Sequence, residues 1–257
     1  MSSETQNNQS QAPLVTHLIE LRNRLLKSVL VILLCFLALY AIANELYLTV
    51  SEPLRALLPE GSSLIATEVA SPFLAPLKLT FFVAVLISIP FTLYQTWAFI
   101  APALYKNEKK LAIPLLISSI FLFYGGVTFA YFVVLPLVFG FFTSVGPSEV
   151  VVMTDINNYL NFVLKLFFAF GVTFEIPIAT YLIIKAGITT VASLSKKRPY
   201  IILGCFVMGM LITPPDIFSQ TLLAIPMWML FEVGLLAGRT VKIEDKETTD
   251  DEELTES

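Results

Sequence analysis

Apolar residues in this chain gather into long runs, interrupted by charges and turn residues rather than alternating with polar positions. Runs of that kind predict membrane-crossing helices, which need about 20 apolar residues to traverse the hydrocarbon. Six are predicted. The first covers 28–43. The second covers 74–97 and is opened by Ser71-Pro72, a favourable cap and first-turn pair. The third lies in the uncharged stretch 111–148 and ends near Pro136, and the fourth covers 159–184, with Lys165 near its start and Glu175 in its middle. The fifth and sixth, 200–212 and 217–231, are short. At about 1.5 Å per residue they reach about 20 to 22 Å, against about 30 Å of hydrocarbon. They predict a short hairpin in a locally thinned bilayer, or a re-entrant pair, with six crossings preferred.

Ahead of the first run, Thr16 to Lys27 begins with a capping residue and sets Leu18, Leu21 and Leu25 on one stripe, which predicts an amphipathic helix leading into the first span. The preceding segment, 1–13, is polar and rich in Gln, Asn and Ser, with none of the marks of a cleaved signal peptide, and is expected to be a disordered tail. A membrane domain is expected over 14–238 and a disordered acidic tail over 239–257.

Composition supports this reading. Of the 257 residues 56% are hydrophobic and 14% charged, with mean hydropathy +0.78, whereas a soluble domain has about 25% charged residues. An ordinary soluble protein is excluded, and so is a disulfide-stapled module, since Cys35 and Cys205 are the only cysteines and both fall in apolar runs. The net charge of −4 comes from residues 241–257, which hold eight acids and two lysines. Basic residues outside the spans alternate 3, 1, 3, 0, 4, 0, 3 along the chain, which accounts for fourteen of sixteen. By the positive-inside rule, that pattern predicts six spans with both termini cytoplasmic.

Enzyme chemistry finds little support. There is one histidine, no cysteine pair at ligand spacing, no phosphate loop and no GxSxG elbow, so neither catalysis nor a metal or cofactor is expected. Glu175, deep in the fourth run and two residues before Pro177, is a functional candidate because an unpaired intramembrane carboxylate is costly; a structural hydrogen bond is the other reading. Glu20 and Glu108 are two of the few acids on the basic face outside the tail. Together they could bind a dibasic ligand, Arg favoured over Lys by its fork, while Glu20 could equally pair with Arg24 at i, i+4. Asp216, after Pro214-Pro215, can cap the last helix or serve function in the outer turn.

Several stretches resemble the TatC family of twin-arginine translocase proteins, in its proteobacterial form: His17-Leu-Ile-Glu-Leu-Arg22 with Arg24-Leu25, Ala70-Ser-Pro-Phe73, Trp97-Ala-Phe-Ile-Ala-Pro-Ala-Leu-Tyr105 with Glu108, Phe170-Gly-Val-Thr-Phe-Glu-Ile-Pro177, Lys196-Lys-Arg-Pro-Tyr200, and Gly209-Met-Leu-Ile-Thr-Pro-Pro-Asp216 with Phe218-Ser-Gln220. The resemblance covers about residues 14 to 238. It implies an all-α, six-helix, glove-shaped receptor in the bacterial inner membrane. Such a receptor binds Arg-Arg signal peptides of folded proteins at its cytoplasmic face and recruits TatA and TatB for export driven by the proton gradient. The implied signal-peptide patch is Glu20 and Glu108 with Leu21, Arg22 and Phe99. The resemblance also implies roles for Pro53 and Asp216 in the outer loops, Glu175 in the concave face, and Met210, Thr213 and Gln220 in docking partner helices, within a complex that includes further copies of the chain. Phe73, Leu74 and Ala75 follow Pro72 where many relatives carry a Glu. Two other classes stay open from the residues alone: an ion-coupled solute transporter built on Glu175 and Lys165, and a structural anchor.

Overall fold

The computed structural model describes residues 4–55, 63–104, 109–145, 153–213 and 216–240. Among them the chain is helical apart from its turns and two three-residue strands. The elements are α1 (Glu4–Tyr40), α2 (Ala43–Arg55), β1 (Ser63–Ile65), α3 (Ser71–Leu104), α4 (Lys109–Phe129), α5 (Leu135–Val145), β2 (Met153–Asp155), α6 (Ile156–Thr173), α7 (Ile176–Lys185), α8 (Val191–Lys196), α9 (Arg198–Ile212) and α10 (Ile217–Arg239). Among the described residues five helical stretches are long and apolar enough to cross a membrane: Val15–Tyr40, Ser71–Ile100, Ala112–Phe142, Ile156–Lys185 and Ile217–Arg239. Arg198–Ile212 is the shorter sixth.

The amphipathic helix and the first span are one continuous helix, Glu4–Tyr40, which begins inside the segment expected as a tail. Once a helix is nucleated, each further residue adds a hydrogen bond at small cost. After a turn at Ala41 and Ile42 the chain forms α2, in a region read from the sequence only as a loop.

The third span does not end near Pro136 but continues to Val145. Pro136 offers no N–H to the helix ladder, and the residues just before it, Ala130–Val134, form a π turn in which the Leu135 N–H reaches back to the Ala130 carbonyl. A single π turn absorbs such a defect without ending the helix. The fourth span breaks just ahead of Pro177, whose ring cannot continue the hydrogen-bond ladder. α6 stops at Thr173, Glu175 donates its N–H to the Val172 carbonyl at 3.0 Å, and α7 restarts with Pro177 in its first turn. α7 ends on Gly187 at φ 70°, with Ile188 N–H bonded to the Ile183 carbonyl, a left-handed cap that suits glycine.

The expectation that both final helices are short holds for α9, at 15 residues, but not for α10, which has 23 and runs eight residues beyond the predicted end. Glu232 looked like the end of that run. Instead its charge is met by Arg198 at the start of α9, in a partly exposed pair.

α1 packs chiefly on α3, α4 on α6, and α10 on both α7 and α9. Two glycines let α4 and α6 approach. A Cβ at Gly126 would collide with the Phe170 carbonyl, and one at Gly171 would sit 2.7 Å from the Phe123 ring. The main core gathers Val134, Val138, Val163, Leu166, Phe170, Leu223 and Met227 from the π turn, α5, α6 and α10.

At the end of the molecule where α3 and α6 begin, β1 and β2 pair in parallel, Ser63 with Met153 and Ile65 with Asp155. Asp155 caps α6 through the N–H groups of Asn157 and Asn158, both at 3.0 Å, and accepts from Thr67 Oγ1 at 2.6 Å and Thr67 N–H at 3.0 Å. Beneath that clasp, buried Asn157 donates from Nδ2 to buried Ser71 Oγ.

Candidate functional site

The predicted patch on α1 is built by a helical repeat that the apolar pattern hid. His17, Glu20 and Arg24 recur at i, i+3, i+7 and so share one face. That face meets α3. His17 stacks on Phe99, ring centroids 4.1 Å apart and 17° from parallel, and one turn back along α3 the Gln95 Oε1 accepts from Arg24 Nη1 at 3.2 Å. Ser28, buried a turn further along α1, donates to the Arg24 carbonyl.

Arg24 is therefore held by α3 and in turn holds Glu20. Its Nε and Nη2 both donate to Glu20 Oε1, at 2.9 and 2.6 Å. Glu20 Oε2 makes no hydrogen bond among the described residues, and the Glu20 side chain is 41% exposed. A carboxylate can accept a bidentate guanidinium, so the open oxygen retains capacity for a second cation. Leu21 and Arg22 follow Glu20 along α1, both exposed, and Arg22 Nη2 donates to its neighbour Asn23 Oδ1 at 3.4 Å. Phe99 is half-buried under His17. Glu108 falls between the end of α3 and the start of α4, outside the described residues.

Arg24, His17 and Gln95 are members of this arrangement that reading the sequence did not single out as a set. The spacing 17, 20, 24 carried the signal for two of them. Gln95, a polar residue in an apolar run, carried a weaker one.

Glu175 occupies the break between α6 and α7, half-buried, with Oε1 shielded from solvent and without a hydrogen-bond partner among the described residues. The buried Ser119 hydroxyl of α4 stands beside the carboxyl and accepts from Trp97 Nε1 of α3 at 3.2 Å. Three helices thus bring polar atoms to one point inside the bundle. Lys165 does not join them and lies exposed further along α6.

At the other membrane end, Asp216 caps α10, its Oδ1 accepting from Ser219 N–H at 2.7 Å, while Oδ2 is buried and unpaired among the described residues. Thr213 is buried and returns its hydroxyl to the Gly209 carbonyl at 3.0 Å. Met210 is 50% exposed and Gln220 half-buried, with Gly209 close against the Gln220 backbone. Pro53 lies in α2. No group of three or more His, Cys, Asp or Glu able to hold a metal occurs among the described residues.

The family model described as Sec-independent protein translocase protein (TatC) matches residues 16–226. A protein of that name from Azotobacter chroococcum mcd 1 is 58% identical over 239 residues, 93% of this chain and 94% of that protein. The one from Escherichia coli (strain K12) is 58% identical over 227 residues, 88% of each. A crystal structure of the twin-arginine translocase receptor TatC superposes with a TM-score of 0.79 at 39% identity, covering 87% of this chain and 98% of that one.

Proposed function

The chain belongs to the TatC family, and from that premise we propose that it is the receptor which binds Arg-Arg signal peptides through Glu20 and Glu108. As a TatC it is a component of the Sec-independent protein translocase rather than an enzyme, a multi-pass inner-membrane protein that works with other Tat components.

One observation carries the receptor reading: Glu20 is oriented through a single oxygen by a guanidinium already tied to α3, and its second oxygen is left open. A preset carboxylate of this kind spares an arriving guanidinium the entropy of ordering it. Exposed Leu21 supplies apolar surface beside it, and Arg22 and Phe99 complete the patch, with Glu108 as the second acid. Basic residues cluster at this end, so the face is cytoplasmic with both termini inside. Folded cargo is then handed to TatA and TatB, whose single spans dock on the α9 and α10 edge at Met210, Thr213 and Gln220, within a complex holding several copies of the chain. The exposed apolar side chains there, Leu211 and Phe218 among them, support a helix-docking edge. Glu175 with Ser119 and Trp97 serves as the polar point of the concave face, and Pro53 and Asp216 shape the opposite face.

The test is binding of a fluorescent twin-arginine signal peptide to the detergent-purified chain, against the same peptide with Lys-Lys. Tight binding that collapses with Lys-Lys and in a Glu20→Ala, Glu108→Ala double variant supports the assignment. Unchanged binding in that variant sinks it. Solute uptake by the chain alone, abolished by Glu175→Gln, would favour the transporter class instead.

A further inference from the structure

Two of the sixteen basic residues, Lys78 and Lys165, lie inside spans, where the charge alternation gives them no task. Lys78 is on α3, seven residues past Ser71, and Lys165 is on α6, eight past Asn157. Ser71 and Asn157 are hydrogen-bonded to each other, and the strand pair and the Thr67–Asp155 clasp sit just ahead of both, so α3 and α6 enter the membrane side by side from the same end.

Lys78 bonds a residue that lies one helical turn from Lys165. Lys78 Nζ donates to Asn161 Oδ1 at 3.3 Å. Asn161 precedes Lys165 by four residues, so the two share a helix face with Cβ atoms about 5 to 6 Å apart. Long side chains on a helix lean toward its N-terminus, which for both helices is the same membrane end. Both ammonium groups are therefore directed to the level of Asn161. Asn161 has spent its oxygen on Lys78 and keeps its amide hydrogens. Two ammonium donors and an amide NH2 thus gather at one level with no carboxylate bonded to them, neither lysine forming an ion pair among the described residues, while the unpaired acceptor one turn away, Asn157 Oδ1, is buried. Lys165 is exposed and Lys78 half-buried, so the set opens to the surface.

Depth and surroundings select the anion. Ser71–Ile100 and Ile156–Lys185 have 30 residues each. At about 1.5 Å per residue they exceed the roughly 30 Å hydrocarbon by about 15 Å, which places the first turn or more of each in the headgroup layer. Lysines a further turn down can lift their ammonium groups to that boundary. Directly below, Phe168 and Val172 continue the Lys165 face of α6 at 49% and 48% exposure, and Phe81 on α3, 52% exposed, follows Lys78 by three residues. We propose that Lys78, Asn161 and Lys165 bind the phosphodiester of an anionic phospholipid in the leaflet where α3 and α6 begin, its acyl chain lying along Phe168, Val172 and Phe81. This site is independent of the signal-peptide patch and holds whichever way the termini face.

The experiment uses the purified full chain in detergent. Lipid retention is read by native mass spectrometry and thermal midpoint by intrinsic fluorescence, with dioleoyl phosphatidylglycerol, dioleoyl phosphatidylcholine or inorganic phosphate added. Phosphatidylglycerol is expected to be retained preferentially and to raise the midpoint, with affinity falling about fivefold per lysine removed in Lys78→Gln and Lys165→Gln. Lys165→Gln is the safeguard should the double variant fold poorly, because Lys165 is exposed and makes no bond among the described residues whose loss would destabilise the fold. Lys78→Arg with Lys165→Arg should preserve the preference. Equal retention of the two lipids, or an undiminished preference in Lys165→Gln and the double variant, overturns the proposal. So does stabilisation by inorganic phosphate alone, which would mark a soluble-anion site. If the native chain is indifferent to headgroup charge while the cations are needed only in the assembled complex, the proposal also fails and a partner carboxylate takes the lipid's place.

Discussion

Arg198 and Glu232 meet fork to fork, Nε on Oε1 and Nη2 on Oε2, both at 2.7 Å, joining the first turn of the short α9 to the last third of α10. The two side chains are 40% and 26% exposed, so water screens the pair and its contribution to stability is small. Arg198→Ala and Glu232→Gln should each lower the thermal midpoint in detergent by at most a few degrees, and a double-mutant cycle should return a small favourable coupling. Arg198→Lys should recover little, because a point donor cannot reproduce the fork. A coupling near zero would show that α10 keeps its length through the packing of Leu223, Met227 and Leu235 alone.

Neighbouring glycines on α4 should respond in opposite ways. A Cβ at Gly125 meets nothing within 4 Å, whereas at Gly126 it meets the Phe170 carbonyl and, at 2.9 Å, the Phe174 ring. The carbonyl belongs to the α6 backbone and cannot step aside as a side chain could. Gly126→Ala should therefore push α4 off α6 and cost about 1 to 3 kcal/mol, while Gly125→Ala stays within about 0.5 kcal/mol of the parent. Thermal unfolding of the two variants in one detergent tests this. Equal midpoints would mean that the two helices do not pack at this distance.

The clasp over α3 and α6 should be sensitive to acid. The Thr67 hydroxyl and then the Thr67 N–H, with the N–H groups that Asp155 caps, hold its carboxyl down to about 2. A carboxyl held below its ordinary value stabilises the fold while it is ionised. That contribution is complete at neutral pH and is lost as pH falls from about 4 toward 2. Protection of the Thr67 and Asn157 N–H groups, taken relative to the intrinsic exchange rate at each pH, should fall over that interval. Asp155→Asn should exchange faster at neutral pH and lose the pH step, and a step of the same size in Asp155→Asn would assign the titration elsewhere.

The spans were legible because hydrocarbon imposes one requirement, uncharged length, that a sequence displays directly. A charge or a proline reads as a terminator in the sequence, yet a counter-charge far along the chain or a local change of helix type can carry the helix past it. Glu232 was to end the last helix, but its counter-charge is 34 residues away on α9. Pro136 was to end the third, but a π turn absorbed it. The clasp of Thr67 with Asp155 spans 88 residues and had no local signature. At the candidate site the scarcity of acids on a basic face points to Glu20, Phe99 follows only from the resemblance, and Arg24 reads as a simple helix neighbour. That Gln95 would pin Arg24, and so leave one Glu20 oxygen open, depends on the register of α1 against α3, which no stretch of either helix encodes alone.

That register leads to the most discriminating prediction. Arg24 could act on Glu20 in two opposed ways. It could hold the carboxylate in place for an arriving arginine, or it could occupy the carboxylate and have to be displaced. The geometry favours holding, because Arg24 takes only Oε1 and is itself restrained by Gln95. Glu20→Gln should cost binding of a twin-arginine peptide about tenfold or more, since a charge-assisted fork is lost. Arg24→Ala keeps the acid but frees its rotamers, and should weaken binding severalfold, with Gln95→Ala showing a smaller loss in the same direction. Peptide affinity by fluorescence anisotropy, at one ionic strength, separates the two modes by sign. If Arg24→Ala binds the peptide more tightly than the parent, Arg24 competes with the incoming arginine, and the open Oε2 is not the docking point.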